Sequence, residues 1–341
     1  MKILHFISGG DSGIPVTIIP QEKRWDLSVL SKVKKFINNC GCDLVHCHGA
    51  RANYISLFIR GGVKVPMITT LHSDYKLDFK DNPRKQLIYT PINAFALRRY
   101  KHILAVTKAF KYMLMLRGFK EERIDVIYNG IDFSQELQTY DMYTFFKNIN
   151  VPHDLNKKYV GIAARLFAVK GVNVFLDMAK IIADKREDID FIILGNGEMW
   201  QQCQDFIKGN KLENRVYMAG QVTDPVMMNS YYKYIDVNTL TSYSESFPYA
   251  LLEGARCKCA TVATAVGGIP EMIIDGESGC LVQSGDSKAL AECVEMLCDK
   301  DDIRIRYGVN FYERAKENFS SQAMANTHKK IYEKIIKENV K

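Results

Sequence analysis

Short apolar runs alternate along this chain with stretches whose apolar residues recur at helical spacing, the pattern of an α/β protein built on parallel sheets. In the first half, runs at 2–8, 16–19, 44–48, 67–71, 102–106 and 125–128 predict strands. Stretches 27–39 and 109–118 predict helices between them, the second closed by Gly118 at a cap position. Residues 149–158 are polar, include Pro152, and read as a linker. The alternation then restarts, with strands at 159–164, 191–194, 215–218, 237–240 and 261–263 and a helix at 172–183. Another helix carries Glu253, and a last one at 321–339 sets Met324, Ile331, Tyr332, Ile335 and Ile336 among lysines. The pattern divides the 341 residues into a first domain at 1–150, a second at 151–319 and a terminal helical segment at 320–341.

One connection in this scheme is impossible. Only the seven residues 9–15 separate the first two apolar runs. A parallel crossover needs a dozen or more residues, so these runs are not neighbouring parallel strands joined in the usual way. The first half-sheet is therefore expected to be abnormal at its start.

Composition narrows the class. With 47% hydrophobic and 25% charged residues the chain fits a globular protein, and no uncharged apolar stretch reaches the length of a membrane span. The opening run after Met1-Lys2 is too short and too weakly charged for a signal peptide and fits a buried strand better. Nine cysteines in no paired Cys-x-x-Cys arrangement fit reduced thiols in a cytoplasmic protein. Charge is uneven: residues 1–150 carry 22 basic against 13 acidic residues, +9, and the remainder 24 against 26, −2. A basic first domain suits an anionic partner such as a phosphorylated lipid or an acidic membrane face, or is simply a solvated lysine-rich surface. No aromatic–basic motif of a nucleic-acid module is present, so nucleic acid is not expected as a partner.

The candidate chemistry gathers at predicted strand ends. Glu245-Ser-Phe-Pro-Tyr-Ala-Leu-Leu-Glu253 holds two carboxylates eight positions apart, across a loop that enters a helix. Pro248 suits the first turn, and the free N–H groups around Phe247, Pro248 and Tyr249 with the helix dipole behind them suit a phosphate. Glu253, further into that helix, can accept hydrogen bonds from sugar hydroxyls. Arg165 and Lys170 follow the strand at 159–164, where an open α/β sheet binds ligands, and could meet a diphosphate there. Gly195-Asn-Gly197 is a strand-to-helix turn that lacks the third glycine of a dinucleotide fingerprint, which disfavours a dehydrogenase. Gly9-Gly10 could cradle phosphate or be a bare turn. His46 and His48 share one side of a strand, with no third metal ligand visible from spacing, so packing or polar roles are preferred to a metal. His72 lies just beyond another strand, where site residues collect. Asp188-Ile-Asp190 reads as a solvated turn and not as a metal motif.

Taken in order, the His-x-His strand, Thr-x-His72, Asn129-Gly-Ile-Asp132, Arg165 and Lys170, Gly-x-Gly, Glu245 and Glu253, and Gly267-Gly-x-Pro-Glu271 resemble a family 4 retaining glycosyltransferase. The resemblance implies the GT-B fold: two Rossmann-like domains facing a cleft, an acceptor domain first and a nucleotide-sugar donor domain second, with the last helix crossing back to the first. It implies metal-independent transfer of a hexose from a nucleotide sugar, most commonly a UDP-sugar, with retention of configuration and no cofactor. Under it, Glu253 holds the ribose hydroxyls, Arg165 and Lys170 the diphosphate, Glu245 and His72 the hexose, and Gly10 brings its loop near the diphosphate. Backbone amides near Phe247, Pro248 and Tyr249 contact donor phosphate or sugar, and 129–132 is structural. The acceptor would be a glycan or lipid-linked saccharide in polysaccharide biosynthesis, handled in the cytoplasm with peripheral contact at the inner membrane face.

The chain departs from the family in two places. The helix-strand-helix segment that normally follows Gly-Gly is absent, which matches the impossible crossover and points to a shortened, remodelled first domain. Cys257-Lys258-Cys259-Ala260 stands where the family has Gly and then Pro two residues later, which alters a turn. Two other readings stay open: a non-catalytic GT-B protein that binds a nucleotide or a partner, favoured by the shortened domain, and a sugar-nucleotide epimerase.

Overall fold

A computed structural model of the chain describes residues 1–7, 17–20, 26–76 and 82–339. Its contacts divide it into two compact units, Met1–Tyr128 with Ala325–Lys341, and Asn129–Met324.

In the first unit, strands β1 (Ile3–Phe6), β2 (Leu44–His48), β3 (Met67–Leu71), β4 (Ile103–Ala105) and β5 (Ile124–Val126) alternate with helices α1 (Ser28–Asn39), α2 (Gly49–Ile59), α3 (Pro83–Arg99) and α4 (Lys108–Leu116). The strands pair in parallel in chain order, β1-β2-β3-β4-β5. Right-handed crossovers that all step the same way leave their helices on one face. The core follows this rule: Val29 and Val33 of α1, Ala52 and Ile55 of α2, Leu97 of α3 and Leu114 of α4 share one buried cluster with Val45 and Cys47 of β2. The opposite face carries His46, whose Nδ1 meets the Tyr332 hydroxyl at 2.6 Å; Ile331, Tyr332 and Ile335 are buried there.

The strand expected at 16–19 is corrected. Val16 lies outside the described residues, residues 17–20 have no regular structure, and Ile18 is 82% exposed. A run such as Val-Thr-Ile-Ile has strand composition, but a strand exists only where a neighbour takes its hydrogen bonds. Instead β1 pairs directly with β2 through a connection that holds α1, so no seven-residue crossover occurs. Among the described residues β1 has no second partner and forms the sheet edge.

In the second unit, α5 (Met142–Asn148) precedes β6 (Lys158–Ala163), α6 (Val172–Ala183), β7 (Ile189–Leu194), α7 (Trp200–Gly209), β8 (Val216–Gly220), α8 (Pro225–Tyr234) and β9 (Val237–Leu240). Then come α9 (Tyr249–Arg256), β10 (Ala260–Thr264), α10 (Ile269–Met272), β11 (Cys280–Val282), α11 (Ser287–Asp299) and α12 (Asp301–Asn318). Helix α13 (Ser321–Asn339) begins here and belongs to the first unit from Ala325 on. The sheet runs β11-β10-β9-β6-β7-β8, all parallel, so its winding reverses between β6 and β9. Both faces are buried, as a parallel sheet requires. Phe191 and Ile193 of β7 join a cluster with Phe175 of α6 and Val294 of α11, while Ile192 and Leu194 face Phe145 and Phe146 of α5 and Tyr231 of α8.

Several expectations shift with this architecture. Ile149 and Val151, in the stretch read as a linker, are buried in that second cluster, and the division between units falls at Tyr128/Asn129. Ile131 forms a bridge with Ser320 inside the second unit. Asp190 is not in a solvated turn: it lies in β7, 4% exposed, 3.0 Å from Lys157 Nζ and 2.8 Å from Arg215 Nε. Buried carboxylates persist where cations and hydrogen bonds replace water, and this one is used for anchorage. All nine cysteines are free thiols.

Candidate active site

The second sheet reverses its winding between β6 and β9, and the carboxyl ends at such a reversal are where doubly wound sheets take ligands. Two loops meet there. The loop after β6 carries Arg165 and Lys170, and the loop after β9 carries Glu245. They are tied together by Thr241 Oγ1, which donates to the Gly171 carbonyl at 2.9 Å, and by the Tyr243 N–H, which donates to the Val169 carbonyl at 2.8 Å. This stitching sets Lys170 Nζ 2.6 Å from Glu245 Oε1, and Ser242 Oγ donates to the same oxygen at 2.7 Å. The Glu245 side chain is only 8% exposed. Behind it, Gly267 sits at φ 56°, and a Cβ there would strike the Glu245 carbonyl, so only glycine allows the approach. The Gly267-Gly-Ile-Pro-Glu271 motif thus backs the Glu245 loop. Gly268 N–H also donates to the Ser246 carbonyl at 3.0 Å.

Beside this pair lies an open pocket of about 300 Å³ at the ends of β6, β7 and β8. Arg165, Gly195, Asn196, Gln221, Tyr232 and Glu253 line it. Arg165 is exposed and has no carboxylate partner among the described residues; its guanidinium stands 5.3 Å over the Phe167 ring. Gly195, at φ 141°, lets the turn press on the Ala164 carbonyl, which a side chain would block. Glu253 is half-buried on α9, and burial raises its pKa, opposed by the nearby Arg256 charge and by a long 3.5 Å hydrogen bond from the Tyr232 hydroxyl. Pro248 is the N-cap of α9, one position before the first turn, where its ring sets the entry of the chain. Phe247 is buried, edge-on to Phe319 at 5.1 Å, while Tyr249 is half-exposed.

The first unit carries a different constellation. Register pairs His5 of β1 with His46 of β2, and alternation sets His5, His46 and His48 on the face away from the helical core. His5 Nδ1 lies 3.0 Å from His48 Nε2, and His48 Nδ1 lies 3.2 Å from His72 Nε2. His46 Nε2 meets Thr70 Oγ1 at 2.6 Å. Burial, and then the neighbouring imidazoles, push His48 down to about 3 and His46 lower still; burial alone lowers His5 and His72. The loop after His72 is held by Asp74, which accepts two hydrogen bonds from Arg117 at 2.6 and 2.7 Å, with the guanidinium 4.8 Å over Tyr75.

The sequence-predicted residues of the second unit therefore fall into three groups. Arg165 and Glu253 share the pocket, Lys170 and Glu245 form the ion pair beside it, and Phe247, Pro248 and Tyr249 lead into α9. His72 belongs to the first unit, and Gly10 lies outside the described residues. Sequence reasoning gave no role to Ser242, Tyr232, His5 or Asp74. His5 alone had a signal, since alternation with Leu4 and Phe6 already set it on the opposite face of its strand.

A family profile for glycosyl transferases group 1 matches residues 145–318, and one for glycosyltransferase family 4 matches residues 8–135. An uncharacterized glycosyltransferase of Methanocaldococcus jannaschii is 27% identical over 89% of this chain and 78% of its own length. A capsular polysaccharide biosynthesis glycosyltransferase of Staphylococcus aureus is 25% identical over 70% of this chain, which spans 62% of that protein. A crystal structure of HepE from Anabaena in complex with UDP aligns with TM-score 0.74 at 22% identity, covering 90% of this chain and 82% of that one.

Proposed function

The chain belongs to the group 1 glycosyl transferases, and on that premise we propose that it transfers a hexose from a UDP-sugar to a glycan or lipid-linked saccharide, with retention of configuration and without a metal. The observation that carries the reading is the pocket at the carboxyl ends of β6, β7 and β8, lined by both a cation, Arg165, and a carboxylate, Glu253. Ribose hydroxyls donate to Glu253, and the diphosphate lies toward Arg165 and Lys170. Charge that develops on the departing diphosphate is stabilised by these preset cations, an effect whose removal commonly costs about 10²–10³ in turnover. Lys170 is held by Glu245 at 2.6 Å, so an arriving phosphate competes with that carboxylate for it. Glu245 binds the hexose, and amides near Phe247, Pro248 and Tyr249 take donor oxygens.

HepE, crystallised with UDP, and the capsular polysaccharide transferase support the choice of donor base and of a cell-surface glycan as product. The +9 balance of residues 1–150 supports an anionic membrane surface as partner. Among the described residues no helix is long and apolar enough to cross a membrane.

The test is thermal stability of the purified protein against UDP, GDP and ADP, with Glu253→Ala as control. UDP at about 100 times its dissociation constant should add roughly 2.7 kcal/mol to native stability. A shift selective for UDP and absent from the variant supports the donor site. A cooperative melt unmoved by any nucleotide would favour the non-catalytic reading, which draws on the short first sheet.

A further inference from the structure

We propose that His5, His46 and His48 form a three-imidazole site for a divalent transition-metal ion on the face of the first sheet opposite its helical core. One ring nitrogen from each residue lies within 4.8 Å of the other two, the one such group among the described residues. The sequence offered His46 and His48 without a third ligand. The third comes from another strand, because β1 pairs with β2 in the register that sets His5 opposite His46. Five of the seven histidines of the chain gather on this face, since His72 lies beyond β3 and the His328 ring is 5.9 Å from that of His46.

The donor chemistry selects the ion. Imidazole nitrogens without a carboxylate suit Zn²⁺, Co²⁺, Ni²⁺ or Cu²⁺ and do not suit Mg²⁺ or Ca²⁺, which require oxygen. Two nitrogens bound about 2.0–2.1 Å from a tetrahedral ion stand roughly 3.3 Å apart. His5 Nδ1 and His48 Nε2, at 3.0 Å, are already near that separation. The surroundings also resemble those of bound imidazoles, whose second nitrogen is held by a hydrogen bond. With Nε2 of His48 on the ion, its Nδ1–H donates to His72 Nε2, 3.2 Å away. His46 has hydroxyls on both nitrogens, Tyr332 and Thr70, each at 2.6 Å. One must swing aside for His46 to ligate, and the other then accepts the remaining N–H and keeps the ring oriented. Without an ion, the same short contacts are hydrogen bonds that share protons between neutral rings. No step of the proposed transfer is routed through this ion.

The experiment titrates the full-length, chelator-stripped protein with Co²⁺, followed by its visible absorption, and then with Zn²⁺ as competitor. The expected result is one Co²⁺ per chain with a tetrahedral spectrum, displaced by Zn²⁺, lost in His48→Ala and weakened at least tenfold in His5→Gln. His153→Gln, in the second unit, should bind as the parent does. His5 stands on an edge strand, so His5→Gln carries the test if His48→Ala fails to melt cooperatively. Absence of stoichiometric binding, equal binding by His5→Gln, or a thiolate-to-cobalt charge-transfer band marking cysteine ligation would each overturn the site.

Discussion

Glu253 couples stability to nucleotide binding through one proton. Burial raises its folded pKa above the ordinary 4.5, so between neutral pH and that value the folded state binds more protons than the unfolded one. Stability from this group therefore rises as pH falls through the raised pKa and levels off below the unfolded value. Ribose recognition runs the other way, because only the carboxylate accepts from both hydroxyls. Glu253→Gln should melt no lower than the parent at neutral pH and lose the Glu253 part of the pH dependence. Its UDP affinity should fall by about 1.5–3 kcal/mol, the worth of hydrogen bonds to a charged group. Paired melting curves and UDP titrations across the acid range check both halves. A variant that binds UDP as tightly as the parent would remove Glu253 from the ribose.

At the level of elements, the turn between α9 and β10 carries a visible cost. Lys258 adopts φ 57°, the left-handed region that disfavours a side chain by roughly 1–2 kcal/mol. It lies in the turn at 257–260, for which the family resemblance calls for a glycine. The exposed side chain reaches Tyr312, with Nζ 5.0 Å from the ring centroid, a contact worth about 0.5–1 kcal/mol at an exposed site. Lys258→Gly relieves the backbone, gives up that contact, and adds entropy to the unfolded chain. The expected net effect is a gain of at most about 1 kcal/mol, read as a rise in melting temperature of no more than about 4 °C. A drop of several degrees would mean the ring contact outweighs the backbone strain. The turn lies away from the pocket, so UDP affinity should not change.

Across the whole molecule, the two sheets are wound differently and so carry chemistry in different places. The second reverses direction between β6 and β9, and its pocket lies at the carboxyl ends of β6, β7 and β8. The first steps one way through five strands, so its described residues contain no such reversal; its histidines collect on the face opposite its helical core instead. UDP should therefore slow amide hydrogen exchange in 163–171, 194–197, 221–222 and 245–253 and leave 44–48 and 67–72 unchanged. Exchange mass spectrometry with and without UDP reads this directly. Protection centred on the first unit would move the nucleotide site out of the second sheet.

Sequence alone determined the α/β class and most second-unit strands, and it singled out Arg165 and Glu253, which line one pocket. Buried parallel strands read as short apolar runs, and loops at their carboxyl ends keep polar residues at fixed spacing. It did not reveal α3, where Pro91 interrupts the helical signature and Leu87 and Ile88 stay exposed. It took an apolar run at 16–19 for a strand, because composition does not say whether a hydrogen-bonding neighbour exists. Only the tertiary structure decided that Glu245 neutralises Lys170, that Asp190 is a buried anchor, and that His5 joins His46 and His48. Each of these joins residues far apart in the chain, and the register and winding of a sheet, not local pattern, set which of them meet.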